Sequence, residues 1–189
     1  MEHHLHRVVG DALLEIAEES AGMEVLLDPA CGAPNTGCHN LPLFLSSKKS
    51  NATEVCNVDA VVFVDGAVKV VVEIEEADVG PTQICGKLLT TALAEGLIHE
   101  TCGKELVPLA DDAVFVQVLD TAGLNRTRSA KVGDSGQWRN LEAAITDILP
   151  LKGKKVTTYK LLYGGVLDFQ HGGEGRKKLD QVLRAALRE

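Results

Sequence analysis

Apolar residues along this chain recur with two different periods, one typical of helices and one typical of strands. Helical spacing from Leu5 onward predicts an amphipathic helix over residues 5–21, ended by Gly22. The same spacing predicts helices at about residues 82–96, 137–149 and 175–187. Runs rich in β-branched residues predict strands over 24–28, 60–64, 67–72, 113–119 and 156–163. This order predicts an α/β or α+β fold with a central mixed sheet flanked by helices.

Carboxylates stand at the end of two predicted strands that otherwise have the composition of a buried sheet. Asp65-Gly66 separates these strands, and that dipeptide is typical of a tight hairpin turn. A carboxylate at the edge of such a sheet is costly to desolvate unless a partner neutralises it. A divalent cation neutralises several carboxylates at once, so Asp59, Glu73 and Glu75 are candidate metal ligands.

The geometry of the turn decides whether Asp59 and Glu73 meet. A strict two-residue turn would pair Asp59 with Val72 and place the two carboxylates on opposite faces of the sheet. A three-residue turn, with Gly66 left-handed in a bulge, would pair Asp59 with Val71. Glu73 would then be the diagonal neighbour of Asp59 on the same face, and we therefore predict the three-residue turn.

At these residues the chain resembles the PD-(D/E)XK nuclease superfamily, which includes many restriction endonucleases and DNA-repair nucleases. The family pattern is an Asp on one strand of a hairpin, a Glu or Asp on the next, and a Lys two residues later. Asp59 and Glu73 match the first two elements, whereas Glu75 stands at the Lys position. The resemblance covers residues 55–90. It implies a restriction-endonuclease-like core, of order α-β-β-β-α-β, in a single domain over residues 1–189 with a basic C-terminal extension from about residue 124.

The resemblance implies a metal-dependent endonuclease that hydrolyses DNA phosphodiester bonds with Mg²⁺ or Mn²⁺ as its cofactor. The metal ligands would be Asp59, Glu73 and the carbonyl group of Ile74. Two roles remain open for Glu75, because it would either bind a second ion or accept a proton from water.

A lysine that replaces the missing family residue is available on the next predicted helix. Lys87 follows Gln83 by four residues, so both side chains lie on one helical face. Lys87 would orient the nucleophile or stabilise the phosphate, and Gln83 would position the substrate or Lys87. The alternative is a catalytically inactive binding or assembly module of the same fold, which the Glu at the Lys position and the acidic composition favour.

Charge is distributed unevenly along the chain. The formal net charge is −8, yet residues 125–189 contain 13 Lys/Arg against seven Asp/Glu. A predicted loop with Arg126, Arg128 and Lys131, followed by a basic terminal helix, would hold the DNA backbone, although a solvated surface explains these charges equally well. Cleavage of two strands would suit a symmetric homodimer.

The remaining motifs give weaker predictions. Cys31, Cys38, His39 and Cys56 have the ligand types of a zinc site, but their spacing favours isolated buried thiols. The histidines near the N-terminus predict a frayed, solvated end. Five cysteines without a disulfide pattern, no secretory signal and no apolar run of about 18 residues predict a cytoplasmic protein outside the membrane.

Overall fold

Eight strands form one mixed sheet in the computed structural model, which describes residues 3–32, 40–77, 80–122 and 135–188. The strands are β1 (Met23–Leu27), β2 (Leu41–Phe44), β3 (Glu54–Val58), β4 (Ala60–Val64), β5 (Ala67–Glu75), β6 (Gly96–Ile98), β7 (Leu106–Asp120) and β8 (Val156–Gly164). The helices are α1 (His4–Glu18), α2 (Pro81–Leu93), α3 (Ser135–Thr146), α4 (Val166–Phe169) and α5 (Glu174–Ala186). The fold is therefore α/β, with helices flanking a mixed sheet, as the apolar pattern predicts.

The central part of the sheet follows the order β1-β4-β5-β7, with β8 pairing the far side of β7. The pairs β1–β4 and β4–β5 are antiparallel, whereas β5–β7 and β7–β8 are parallel. The first part of the long strand β7 also pairs β6, and the sheet continues from there to β2 and β3. Within the described ranges, no helix is long and apolar enough to cross a membrane.

Helices pack against both faces of the sheet. The apolar stripe of α1, which includes Leu5 and Val9, packs with α5 against residues such as Val72 on one face. On the other face, Ile84 of α2 belongs to a second buried cluster that includes Val71. Successive residues of β5 thus point into different cores, because side chains alternate across a strand.

The hairpin turn between β4 and β5 contains two residues, so the predicted three-residue turn is wrong. Val64 pairs with Ala67, and both Asp65 (φ 51°) and Gly66 (φ 77°) are left-handed. An Asp-Gly pair adopts this conformation at low cost, and its twist matches that of the adjoining strands.

A bulge further along β5 shifts the register by one residue. Phe63 pairs with Val68 but Val62 pairs with Val70, so Lys69 is the extra residue. The ladder ends at the pair of Ala60 with Val72, so Asp59 lies just beyond the paired residues. The bulge is at Lys69 instead of the turn. The side chain of Asp59 contacts His6 of α1, whereas that of Glu73 contacts Lys87 of α2, so the strand register does not fix a shared face.

Three further differences from the sequence predictions concern short or extended elements. Helix α2 ends at Leu93 because Ala94 is extended, and strand β6 then begins at Gly96. A side chain at Gly96 is excluded, because its Cβ would lie 2.1 Å from the carbonyl oxygen of Val107. Strand β3 is not among the predicted elements, and β7 begins at Leu106, before the strand predicted over 113–119.

Two glycines inside helices should respond oppositely to alanine. A Cβ at Gly10 would lie 2.4 Å from the carbonyl oxygen of Cys31, whereas a Cβ at Gly86 would meet no atom within 4 Å. We expect Gly10→Ala to lower the free energy of unfolding by about 1–3 kcal/mol through overpacking. Gly86→Ala should raise it by about 0.5–1 kcal/mol, because alanine favours a helix over glycine.

Urea denaturation measures both effects. Equal stability of Gly10→Ala and the wild type would show that α1 does not approach Cys31 this closely.

Candidate functional site

Asp59 lies at the kink where the chain leaves β3 and enters β4. Its Oδ2 accepts a hydrogen bond of 2.7 Å from the backbone N–H of Ile74, and its Oδ1 lies 3.6 Å from Nε2 of His6. The Asp59 carbonyl oxygen accepts a hydrogen bond of 2.8 Å from the N–H of Asp28. Burial alone would raise the pKa of Asp59, but His6 and the Ile74 N–H together lower it. Asp59 is therefore a half-buried, ionised carboxylate with a fixed orientation.

Glu73 is buried in the interior of the sheet, with only 1% of its surface exposed. Its Oε2 accepts a hydrogen bond of 2.8 Å from Nζ of Lys87. Its Oε1 has no hydrogen-bond donor among the described residues. Burial and the negative charge of Asp59 raise the pKa of Glu73 to about 8, despite the opposing effect of Lys87. A buried acceptor without a donor indicates a position that an external cation or donor would satisfy.

Lys87 extends from α2 and lies between two glutamates, with Nζ 3.5 Å from Oε1 of Glu75 in addition to its contact with Glu73. Burial would lower the pKa of Lys87, but the charges of Glu73 and Glu75 outweigh burial and raise it. Burial also raises the pKa of Glu75, against the effect of Lys87. Lys87 thus remains a cation. Glu75 combines a raised pKa with a side chain that is still partly exposed to solvent.

The first turn of α1 closes the other side of Asp59 and carries groups that the sequence reasoning did not assign to the site. The carboxylate of Glu76 accepts hydrogen bonds from the backbone N–H groups of Leu5 and His6. Nδ1 of His6 lies 3.6 Å from Oε1 of Glu76, and Nδ1 of His3 lies 3.3 Å from Oε2. His6 is only 8% exposed, so the prediction of a solvated end is wrong for this residue.

A signal for His6 was present in the apolar pattern. His6 precedes Val9 and Leu13 by three and seven residues, which places it on the buried stripe of α1. Burial by itself would lower the pKa of His6, but Asp59 and Glu76 raise it.

Two carboxylates of the site fit a Mg²⁺ ion. The charge of Asp59 is close enough to raise the pKa of Glu73, and Oε1 of Glu73 has no donor among the described residues. Mg²⁺ is commonly bound by one or two carboxylates and completes its coordination with water. Glu75 does not join these two in one close group. Among the described His, Cys, Asp and Glu side chains, the only three with ligand atoms within 4.8 Å of one another are His3, His6 and Glu76.

The other candidates of the sequence analysis are not part of this arrangement. Within the described ranges, Gln83 is exposed and forms no hydrogen bond or ion pair with the carboxylates. Ile74 contributes its N–H to Asp59, while its side chain lies in the core that α1 covers. The proposed phosphate-binding residues lie outside the described residues, as do two of the four zinc candidates: Arg126, Arg128, Lys131, Cys38 and His39.

The two zinc candidates that the structure describes are both cysteines. Cys31 is buried and Cys56 is half-buried, and both thiols are free. Burial raises the pKa of the Cys56 thiol to about 11 and raises that of Cys31 further, which disfavours the thiolate that zinc requires.

Two arginines of the basic terminal helix form ion pairs within the protein. Arg176 of α5 forms an ion pair of 3.0 Å with Glu15 of α1, and Arg184 forms one of 2.9 Å with Glu19. These pairs join α5 to α1 on the face of the sheet opposite to α2.

Comparisons with protein-family models, curated proteins and solved structures give no match to this chain.

Proposed function

We propose that this protein is a metal-dependent nuclease that hydrolyses DNA phosphodiester bonds. The observation that carries the proposal is the environment of Glu73, a buried carboxylate within the influence of the Asp59 charge. One of its oxygens accepts a hydrogen bond from Lys87, and the other has no donor among the described residues. A carboxylate pair beside a lysine, at the end of a hydrophobic strand, is the set of groups that metal-assisted phosphodiester hydrolysis uses.

Each residue of the site has a distinct proposed role. Asp59 and Glu73 would hold Mg²⁺ or Mn²⁺, which when bound supplies a Lewis acid for the phosphate oxygen. Lys87 stays charged and would stabilise the negative charge that develops on the phosphate. Glu75, whose pKa is raised, would accept the proton of the attacking water.

The order and direction of the central elements support a restriction-endonuclease-like core. Helix α1, strands β1, β4 and β5, helix α2 and strand β7 occur in the order α-β-β-β-α-β, with β2 and β3 inserted after β1 and β6 inserted before β7. The first three of these strands form an antiparallel meander, and β7 then pairs β5 in parallel. This arrangement brings the end of β5 and the middle of α2 together, which is what positions Lys87 beside Glu73.

A basic groove at the edge of the sheet supports binding of a nucleic-acid backbone. A cavity of about 570 Å³ lies between β8, α3 and α5, and its lining includes Arg139, Lys160 and Lys178. Tyr163 of β8 also lines this groove. Glu75 and Tyr163 both pair with Leu119, so they lie at the same level of the sheet. Two strand spacings separate them, about 10 Å. The groove is therefore close enough to the carboxylates for one DNA duplex to contact both.

A catalytically inactive binding module remains the second candidate, and the internal pairing of the site favours it. Lys87 already neutralises Glu73 and Glu75, and Asp59 already accepts a hydrogen bond from Ile74. In that case the buried charges serve to orient α2 against the sheet.

A cleavage assay with Mg²⁺ or Mn²⁺ on supercoiled, linear and single-stranded DNA tests the proposal. We expect metal-dependent cleavage by the wild type and a loss of at least about 100-fold in Asp59→Asn, as expected when a group that positions a metal is removed. Mg²⁺ should also raise the melting temperature of the wild type, because it binds only the folded site, and Asp59→Asn should reduce this shift.

Glu24→Gln is the matched control, because Glu24 is an exposed carboxylate on the edge strand β1. It should retain both cleavage and the Mg²⁺-dependent shift. Binding of Mg²⁺ without cleavage of any DNA form would favour the inactive module, and absence of both would exclude the metal site.

A further inference from the structure

The N-terminal turn of α1 contains a second cluster of ligand-type side chains, separate from the carboxylate pair. His3, His6 and Glu76 offer two imidazole nitrogens and a carboxylate oxygen within 4.8 Å of one another. His3 and His6 lie one turn apart at the start of α1, and Glu76 follows the end of β5, 70 residues after His6 in the chain. The fold, and not the local sequence, therefore assembles the cluster.

Both imidazoles face the carboxylate of Glu76. Nδ1 of His3 lies 3.3 Å from Oε2 of Glu76, and Nδ1 of His6 lies 3.6 Å from Oε1. One ligand atom from each of the three residues lies within 4.8 Å of the other two, so the three side chains converge on one position.

The two imidazole nitrogens are buried and lack hydrogen bonds. Within the described part of the chain, Nδ1 of His3 and Nδ1 of His6 have no hydrogen-bond partner, although both face the Glu76 carboxylate. The side chain of His6 is 10% exposed, so solvent does not readily satisfy its Nδ1. Each atom is within ion-pair distance of Glu76 but makes no hydrogen bond, so a cation bound between the three groups would satisfy both imidazoles and the carboxylate.

The opposite nitrogen of His6 is also placed as a metal ligand requires. Nε2 of His6 lies 3.6 Å from Oδ1 of Asp59. A metal-binding imidazole commonly directs its second nitrogen at a carboxylate, which fixes the tautomer and increases the basicity of the ligand. Asp59 would therefore support the site without binding its ion.

We infer that His3, His6 and Glu76 form a binding site for a divalent transition metal of the zinc class. Imidazole ligands select zinc-class ions, whereas Mg²⁺ prefers oxygen ligands alone. Three protein ligands leave one coordination position for water or another ligand. The site shares Asp59 with the proposed nuclease site as the partner of His6, but none of its three ligands is a proposed Mg²⁺ ligand.

Titration of the metal-free full chain with Zn²⁺ tests this inference, by calorimetry and by competition with a chromogenic chelator. We expect one Zn²⁺ per chain to bind at the cluster. The affinity for this ion should be lower by about 10–100-fold or more in both His3→Gln and Glu76→Gln. Glutamine at position 76 keeps an oxygen for the N–H groups of Leu5 and His6, so the helix start is preserved. Co²⁺ should give a visible absorption spectrum of tetrahedral type that Glu76→Gln removes.

His4→Gln is the matched control, because His4 is an exposed imidazole next to His3 in the chain. It should bind Zn²⁺ like the wild type. Equal weakening in His4→Gln and His3→Gln would show binding by an unstructured histidine-rich segment and would overturn the inference. Zn²⁺ affinity unchanged by Glu76→Gln, or absence of binding, would overturn it as well. Circular dichroism of each variant verifies that the fold is intact.

Discussion

Glu73→Gln is expected to abolish metal-dependent DNA cleavage and, at the same time, to raise the stability of the protein above pH 8. The loss of cleavage follows because the amide removes a metal ligand and the charge of the site. The gain in stability follows because the pKa of Glu73 rises from 4.5 to about 8 on folding, through burial first and then the charge of Asp59. The folded protein therefore favours the neutral form of this side chain.

The pH window follows from the direction of this shift. Glu73 contributes its full stabilisation below about pH 4.5, and the contribution is lost as the pH rises to about 8. Each pKa unit corresponds to about 1.4 kcal/mol, so the loss is at most about 5 kcal/mol. The glutamine side chain of the variant is neutral throughout, so the stability of the variant should vary less between pH 5 and pH 9 than that of the wild type.

Urea denaturation at pH 5.5 and pH 9 measures this difference, with Glu24→Gln as the exposed carboxylate control. The control should cleave DNA and show the same pH dependence as the wild type. A Glu73→Gln variant that is less stable than the wild type at pH 9 would contradict the argument, because Glu73 would then be a favourable buried anion.

Lys87→Met is expected to abolish cleavage and to destabilise the protein most strongly above pH 8. Removal of the ammonium leaves the Glu73 carboxylate buried without a partner, and breaking a buried ion pair typically costs about 3–5 kcal/mol. Lys87 is partly exposed, so we expect about 2–3 kcal/mol at pH 9 after allowing for solvent screening. The cost should be smaller at pH 5.5, where Glu73 binds a proton instead.

A double-mutant cycle separates the structural role of Lys87 from its role in cleavage. In the Glu73→Gln background, Lys87→Met should cost much less stability, with a coupling energy of about 1–3 kcal/mol at pH 9. Cleavage by Lys87→Met is measured at a temperature at which the variant is fully folded. Lys104→Met is the control, because Lys104 is an exposed lysine whose ion pair with Glu100 lies on the surface.

Retained cleavage in a folded Lys87→Met variant would restrict Lys87 to the structural role. Glu75 and the metal would then be the groups that activate water. Loss of cleavage without any loss of stability would instead show that the ion pair with Glu73 contributes little to the fold.

The helices and the central strands were accessible from the sequence because their hydrophobic periods are long and regular. The stripe from Leu5 to Ile16 and the β-branched run before Glu73 each have one dominant burial pattern. The short strands β3 and β6 were not predicted, since three to five residues carry too little periodicity to be distinguished from a loop. Pairing with neighbouring strands, which is a non-local interaction, determines them.

The hairpin shows why the position of an extra residue could not be predicted from the turn alone. The sequence suggested Gly66 for the insertion, but the extra residue is Lys69, which forms an ion pair with Asp112 of β7. Local turn preference cannot report that partner, because it is 43 residues away in the chain.

The sequence by itself determined the α/β class, the carboxylates of the hairpin and the helical face that carries Lys87, because each depends on residues close together in the chain. Only the tertiary structure decided which groups meet. It placed Lys87 against Glu73, directed His6 toward Asp59, and brought Glu76 to the first turn of α1. These contacts join residues 14 to 71 positions apart in the chain. The pKa shifts of the residues involved arise from burial and neighbouring charge, which exist only after the sheet and helices have packed.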